Sequence, residues 1–241
     1  MRNSPYKKGD IVWANLESTI AGKHIQTGVR PAIVLFANED VHEYLIAPLT
    51  TQMKKHMPTH TLITTTEVPY FKSNNTVLGE CVTSIPFHGV LNAFGVRGVT
   101  NLCQNPKVWS RVVSAVYSQF SIINSAGNSN CTVVQGDIIV VNSDYLSEYQ
   151  SVRIPERFCI ISNNLNNMHC ENVNGVELIP IRNNQITSRK VPILKDDKGE
   201  QFVIHGSRIF TFPKKYIWKK DSEAHANFGF LIHSVKNNLA M

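Results

Sequence analysis

The chain has 241 residues, enough for one large domain or two of ordinary size. Hydrophobic residues make up 42% of it and charged residues 17%, which excludes an intrinsically disordered protein. The formal net charge is +6, with 11 basic against 7 acidic residues in 1–124 and 13 against 11 in 125–241, a mild positive field that suits a polyanionic partner.

The cysteines and the amino-terminal segment indicate the cellular setting. The five cysteines are odd in number and form no CxxC pair, which argues against a disulfide framework and against a cysteine-based zinc site. The first ten residues contain no apolar signal region, and no apolar run approaches the length of a membrane span. We therefore expect a soluble, cytoplasmic protein with no membrane partner.

The first half of the chain predicts short strands followed by a helix. Most segments are rich in Val, Ile, Thr and aromatic residues and are bounded by Gly, Pro or Asn, as is typical of antiparallel strands. Apolar residues three and four apart then predict a helix over residues 105–123. In chain order, the strand segments are KGDIVWANL (8–16), GVRPAIVLFAN (28–38), LIAPLTT (45–51) and LGECVTSIP (78–86).

Three segments of the second half repeat the first half at one offset of 127 residues. They are QGDIIVVNS (135–143), RFCIISNN (157–164) and HGSRIFTFP (205–213), and ELIPIRN (177–183) matches LIAPLTT at an offset of 132. A helix is predicted again over residues 224–239. The sequence therefore predicts a duplication, with domains at 1–124 and 133–241 joined by a polar linker at 125–132.

Four motifs of the first copy carry a resemblance to a known family. KKGDIVWANL, GVRPAIVL, IAPLTTQMKKHMPTHTLI and LGECVTSI follow one another over most of residues 6–123. In order and spacing they resemble the MazF/PemK-type toxins, the endoribonucleases of toxin–antitoxin pairs. The resemblance implies a sequence-specific enzyme that cleaves single-stranded RNA or mRNA without a metal or cofactor and is silenced by a cognate antitoxin.

The resemblance also implies the architecture. Family members are compact barrels with an SH3-like core and usually form two-fold dimers. The second copy resembles the same fold more faintly, so the chain is expected to be mainly β with C-terminal helices. Two tandem SH3-like barrels would then pack as an intrachain pseudo-dimer, and this fusion is compatible with a monomeric protein.

Metal-free RNA cleavage needs a group that takes the 2′-hydroxyl proton, a group that protonates the leaving oxygen, and donors for the charged phosphorus centre. Pro31 fixes the backbone at the entry of a strand, and the guanidinium of Arg30 offers a planar fork that matches phosphate oxygens. The resemblance places the catalytic arginine at Arg30 and a catalytic threonine at Thr50. Thr51 takes that role if the alignment slips by one residue.

The resemblance adds two groups that could transfer protons. His24 lies in a loop where some members have a functional histidine, the side chain that changes charge near cytosolic pH; a solvated loop histidine is the alternative. Glu80 matches an acidic position near the cleaved phosphate, as a base or as a residue that orients Arg30, and a purely structural ion pair is the alternative. Some members have arginines where this chain has Leu78 and Thr83, which predicts fewer cations at the phosphate.

The loop QMKKHMPTH supplies further cations for RNA binding. Lys54, Lys55 and His60, together with Thr51 just before them, are predicted to bind the RNA along its backbone. As an isolated charge run, the loop would more often be a solvated surface.

The second copy lacks the catalytic groups of the first. The sequence alignment puts Arg157 at the position of Arg30, Arg182 at that of Thr50, and Ser207 at that of Glu80, so the hydroxyl and the acid are both missing. We expect a catalytically silent copy whose Arg157 and Arg182 bind RNA or pair with acidic residues.

Two other functions stay open on the sequence alone. The chain could be a non-enzymatic inhibitor that binds a protein such as gyrase, as gyrase-poisoning relatives of this fold do, because fold does not dictate function. It could also be an inactive RNA-binding module.

Overall fold

The computed structural model describes seven parts of the chain: residues 5–16, 28–52, 57–94, 100–120, 133–141, 157–181 and 193–240. The chain divides into two compact units, residues 1–119 and 120–239. Both are mainly β and each ends in a helix, so the predicted fold class is confirmed. The predicted linker at 125–132 lies outside the described residues, and the pseudo-dimer stays a prediction.

The first unit is an antiparallel sheet of seven strands within the described residues. The elements are β1 (Ile11–Asn15), β2 (Val29–Asn38), β3 (Glu43–Thr50), β4 (His60–Ile63), β5 (Asn75–Leu78), β6 (Thr83–Pro86), β7 (Val90–Ala93) and α1 (Pro106–Gln119). The strand order is β4-β5-β3-β2-β1-β7, and β6 also pairs with β3. Helix α1 packs on β4, β5 and the 3-10 turn between β5 and β6.

The second unit is a closed six-stranded barrel with a related strand order. Its elements are β8 (Asp137–Val141), β9 (Arg157–Ile160), α2 (Asn164–His169), β10 (Asn172–Pro180), β11 (Ile193–Asp196), β12 (Gln201–Pro213), β13 (Ile217–Ala226) and α3 (Phe228–Ala240). The strand order around the barrel is β10-β12-β11-β13-β8-β9. Strands β8, β9 and β10 pair as β1, β2 and β3 do in the first unit.

The repeated Gly-Asp pair forms the same turn in both units. Gly9 and Gly136 have φ values of +85° and +96°, a region that glycine enters without steric cost. The carboxylates of Asp10 and Asp137 each accept a backbone N–H bond of 2.8 Å from the residue three positions earlier. The N–H of Gly9 also donates to the carbonyl of Val34 in β2, and that of Gly136 to the carbonyl of Ile160 in β9, both at 2.8 Å. The sequence repeat is therefore a repeated local structure.

The second predicted helix begins later than its apolar spacing indicates. Residues 224–226 belong to β13, where Ala224 pairs with Asp196 and Ala226 pairs with Lys195. Asn227, with φ of +68°, lies between the strand and the helix, which starts at Phe228. The prediction of a helix from residue 224 was wrong because sheet pairing, which the local pattern does not encode, overrides the helical spacing.

Gly79 fixes the turn between β5 and β6 against α1. Its N–H donates to the carbonyl of Thr59 at 2.8 Å. A Cβ atom at this position would lie 2.8 Å from the carbonyl oxygens of both Thr59 and Ala115. Because glycine has no side chain, the turn Gly79–Cys81 can lie directly against the helix, and this turn carries Glu80.

Candidate active site

Arg30 and Thr50 lie on the same face of the first unit's sheet. Ala32 of β2 pairs directly with Pro48 of β3, and Arg30 and Thr50 each stand two residues beyond that pair at the same end of the ladder. Residues two apart on a strand share a face. Continued by two residues, the same register would separate the two Cα atoms by about 5 Å. One phosphodiester could therefore contact both side chains.

This face also carries an apolar core. Arg30 pairs with Ala14 of β1, and Ala14, Ala32 and Ile46 belong to one buried cluster. Arg30 itself is half-buried. The guanidinium is thus attached near the end of a packed strand, which restricts the directions in which it can point.

Thr50 offers a hydroxyl on a nearly buried residue. It is 5% exposed, and its Oγ1 accepts a hydrogen bond from the N–H of Gln52 at 3.2 Å. That bond orients the oxygen and leaves the hydroxyl hydrogen to donate to a phosphate oxygen. Thr51, the alternative in the alignment, is exposed.

Glu80 pairs with His60. Its Oε1 lies 2.8 Å from Nε2 of His60, and the two side chains are 20% and 8% exposed. That Glu80 orients Arg30 stays a prediction, since the ion pair that the structure gives the Glu80 carboxylate is with His60. His60, predicted to follow the RNA backbone, is instead mostly buried in this pair.

Two buried side-chain oxygen atoms, one in this pair and one beside it, have no hydrogen-bond partner among the described residues. They are Oε2 of Glu80 and Oγ1 of Thr59. The carbonyl of Thr59 binds the N–H of Gly79, so the chain segments that carry His60 and Glu80 are tied together. Buried polar atoms without partners cost free energy and are uncommon in folded proteins. The cluster is therefore a candidate for substrate contact or proton transfer.

His60, the partner of Glu80, shares a sheet face with Thr50. Thr50 pairs with Thr76 of β5, and Leu78, two residues further along β5, pairs with His60 of β4. His60 is therefore two strands away from Thr50, about 10 Å across the sheet. Glu80 could therefore act on the phosphate bound at Thr50 only through the adjoining ribose, and not by contacting the phosphate itself.

Three of the predicted RNA-binding residues and one catalytic residue lie outside the described residues. They are His24, Lys54, Lys55 and Arg182. Their roles stay predictions.

In the second unit, Arg157 does not take the place of Arg30. Arg157 pairs with Val140 of β8. The residue of the first unit that is equivalent to Val140 is Trp13, and Trp13 pairs with Pro31. Arg157 thus corresponds to Pro31, and a shift of one residue turns a side chain to the opposite face of a sheet. The offset of 127 that aligned Arg157 with Arg30 is wrong for this strand.

The guanidinium of Arg157 is held by two acidic side chains. It lies 3.5 Å from a carboxylate oxygen of Glu200 and 3.4 Å from one of Asp221. Its carbon also lies 5.9 Å from the ring centroid of Phe202. These contacts favour the structural alternative for Arg157 over RNA binding.

The second unit also replaces Thr50 by a different residue from the one predicted. Glu177 pairs with Phe158 as Pro48 pairs with Ala32. Two residues further along β10, the counterpart of Thr50 is therefore Ile179, and not Arg182. The hydroxyl is absent at this position all the same, because Ile179 is an apolar residue, and it is exposed.

Sequence reasoning missed the contact between His60 and Glu80. The two residues are 20 positions apart and no local pattern links them, although each was singled out separately. The described residues contain no group of three or more His, Cys, Asp and Glu side chains placed to hold a metal ion. None of the helices in the described parts of the chain is long and apolar enough to cross a membrane.

Residues 7–95 match the family model described as the PemK-like, MazF-like toxin of type II toxin-antitoxin systems. The first unit therefore carries a PemK/MazF-like toxin domain, and the predicted family is confirmed for it. The matched residues include Arg30, Thr50, His60 and Glu80. No curated protein matches the chain.

Three solved structures are similar to part of the chain. One is an endoribonuclease in complex with its cognate antitoxin from a mycobacterial species, with 14% identity, a TM-score of 0.34, and coverage of 47% of this chain and 92% of that chain. The second is an endoribonuclease from a mycobacterial species, with 15% identity, a TM-score of 0.31, and coverage of 47% and 97%. The third is the Mycobacterium tuberculosis toxin MazF-mt6, with 18% identity, a TM-score of 0.30, and coverage of 44% and 94%.

Proposed function

We propose that this protein is the toxin of a type II toxin–antitoxin system and acts as a sequence-specific, metal-independent endoribonuclease on single-stranded RNA. The observation that carries the proposal is the shared sheet face of Arg30 and Thr50 at one end of β2 and β3, inside the segment that matches the toxin family. A cognate antitoxin is the protein partner that the family description favours.

The proposed reaction is an internal transesterification. The 2′-oxygen loses its proton and attacks the adjacent phosphorus, the bond to the 5′-oxygen breaks, and the leaving 5′-oxygen takes a proton from water, so the products are a 2′,3′-cyclic phosphate and a 5′-hydroxyl. Arg30 stabilises the charge that develops on the phosphoryl oxygens, and the Thr50 hydroxyl donates to one of them. Glu80, whose second carboxylate oxygen is buried without a hydrogen-bond partner among the described residues, is the candidate to accept the 2′-hydroxyl proton from the ribose beside this phosphate.

The second unit is proposed to be catalytically silent. In the strand register, Arg157 is shifted by one residue from the position that corresponds to Arg30. The position that corresponds to Thr50 holds Ile179, which has no hydroxyl group. The single active site would then belong to the first unit.

The test is cleavage of a mixed-sequence RNA by the purified full chain in excess EDTA. We expect cleavage that leaves cyclic-phosphate ends. The same RNA carrying 2′-O-methyl groups should not be cleaved, because it lacks the 2′-hydroxyl nucleophile. Arg30→Ala should lower the rate about 100- to 1,000-fold, the loss typical for one oxyanion donor. Arg30→Lys should recover part of it, because lysine keeps the charge without the planar fork.

Arg111→Ala is the matched control, since Arg111 is an exposed arginine of α1 that binds Glu67 and the carbonyl of Leu62 and has no proposed part in the reaction. Its rate should stay close to that of the unmodified protein. RNA left intact at high enzyme excess, or equal rates for the Arg30→Ala and Arg111→Ala variants, would defeat the proposal. Co-purification of gyrase without RNA cleavage would point to the protein-binding alternative.

A further inference from the structure

A β-bulge recurs at the same place in both units. In the first unit, Leu91 of β7 is inserted between positions that pair with two consecutive residues of β1. In the second unit, Trp218 of β13 is inserted in the same way opposite β8. Bulges re-aim side chains, and here Leu91 is 53% exposed and Trp218 is 68% exposed. The same backbone device thus presents two different apolar side chains to solvent.

The surroundings of these two side chains differ in charge. Residues 214–220, KKYIWKK, contain four lysines and no acidic residue, whereas the corresponding residues 87–93, FHGVLNA, contain neither lysine nor arginine. The ammonium of Lys219 lies 5.2 Å from the ring centroid of Trp218, and that of Lys215 lies 4.6 Å from the ring of Tyr216. Only the second unit combines an exposed indole with a basic segment at this bulge.

Two of the four lysines, Lys214 and Lys220, are held by polar groups of the second unit. Lys214 donates to the carbonyl of Asn167, and Lys220 binds acidic side chains of the same unit. Lys215 and Lys219 are exposed. The acid nearest to Lys219 is Asp221 at 3.8 Å, and that carboxylate is also shared by Arg157 and Lys198. Because this one carboxylate is shared by three cations, it does not neutralise them, and the surface stays positively charged.

We propose that Trp218, together with Lys215 and Lys219, forms a binding surface for single-stranded RNA on the second unit. Exposed aromatic rings stack on nucleobases and neighbouring cations hold the phosphates, a combination that binds single strands without base-specific hydrogen bonds. On binding, a base takes the place of the Lys219 ammonium over the indole ring, and the ammonium contacts the adjacent phosphate. The choice of RNA rests on the proposed function, whereas the surface itself rests on the second unit alone.

Affinity for an RNA that cannot be cleaved tests this surface. The full chain is titrated into a fluorescein-labelled 2′-O-methyl oligouridylate of about 12 nucleotides, a length within the usual range for single-strand sites, and binding is followed by fluorescence anisotropy. Trp218→Ala should weaken binding about 5- to 100-fold, the loss of one stacked base. Trp218→Phe should retain most of the affinity, which separates lost stacking from misfolding. Leu91→Ala, the same bulge position in the first unit, should bind like the unmodified protein.

The salt dependence tests the two lysines. For single strands, the slope of the logarithm of the binding constant against the logarithm of salt concentration changes by about 0.7 per phosphate contact. The double variant Lys215→Gln and Lys219→Gln should therefore lower the slope by about 1.4. The matched control is Lys72→Gln with Lys107→Gln, two exposed lysines of the first unit, for which we expect the slope of the unmodified protein.

Equal affinities for the Trp218→Ala and Leu91→Ala variants would overturn the inference, even if the protein cleaves RNA. If the protein binds the oligonucleotide through Trp218 but cleaves no RNA, the inference stands and the proposed function is refuted. A labelled polyglutamate peptide is the comparison ligand. Binding of that peptide through Trp218, with no binding of the oligonucleotide, would also overturn the inference and indicate an acidic protein segment as the ligand.

Discussion

Replacing Gly79 by alanine should destabilise the first unit and displace the turn that carries Glu80. The added Cβ atom would lie 2.8 Å from the carbonyl oxygens of Ala115 and Thr59 and 3.0 Å from the carbonyl carbon of Ala115. Favourable contacts of carbon begin at about 3.5 Å, so α1 or the turn must move by about 0.7 Å. All three atoms belong to the main chain, and no rotation of a side chain can relieve the overlap.

The expected loss follows from two effects. Inserting a methyl group into a closely packed site costs about 1–3 kcal/mol. Moving the turn also lengthens the 2.8 Å hydrogen bond from the Gly79 N–H to the Thr59 carbonyl, and the net contribution of such a bond is about 0.5–1.5 kcal/mol. We expect Gly79→Ala to lower the free energy of unfolding by about 2–4 kcal/mol.

Urea unfolding of the full chain, followed by circular dichroism, measures this loss. Gly89→Ala is the matched control, because a Cβ atom there would meet the side chains of Ile85 and Pro86 at 3.7 Å, an ordinary contact. The control should unfold at nearly the urea concentration of the unmodified protein. If Gly79→Ala is as stable as Gly89→Ala, then α1 does not lie directly against the turn and the reasoning fails.

Two further predictions concern a surface carboxylate and a buried polar pair. The backbone N–H of Thr64, and to a smaller extent Arg111, hold the pKa of Glu67 below its usual value; because the folded state favours the carboxylate, this stabilisation is present above the unfolded-state pKa and is lost as the pH falls. The difference in melting temperature between the unmodified protein and Glu67→Gln should therefore shrink from about pH 7 to about pH 3, and a constant difference would contradict the argument. In the second unit, Thr211→Val removes the acceptor of the buried 2.7 Å bond from Asn174 Nδ2 and should cost about 1–3 kcal/mol in urea unfolding; an unchanged midpoint would show that the pair contributes nothing.

Much of the fold follows from local sequence patterns. The Gly-Asp turn could be predicted as a repeated element because glycine tolerates the positive φ that this turn requires, and the aspartate bonds its own neighbouring backbone. The helix α1 could be predicted because its apolar residues recur at helical spacing and face the sheet. The start of α3 could not, since residues 224–226 have helical spacing in the sequence but pair with β11 in the fold.

The candidate site shows the same division. Arg30 and Thr50 were singled out from motifs, and their common face depends on a strand register that the motifs do not state. The pairing of His60 with Glu80 joins β4 to a turn after β5, a contact that only the folded sheet brings about. Trp218 was overlooked because the exposure of an indole depends on a bulge, and bulges leave no regular signal in the sequence.

The sequence by itself determined the repeated motifs, the strand segments and the match of residues 7–95 to the toxin family, since each of these depends on which residues follow one another. The tertiary structure decided which side chains share a face. In a strand every second residue points the same way, so a shift of one position is invisible to an alignment at constant offset yet reverses the side chain. For this reason Arg157, which the sequence aligns with Arg30, stands in the place of Pro31 and binds Glu200 and Asp221.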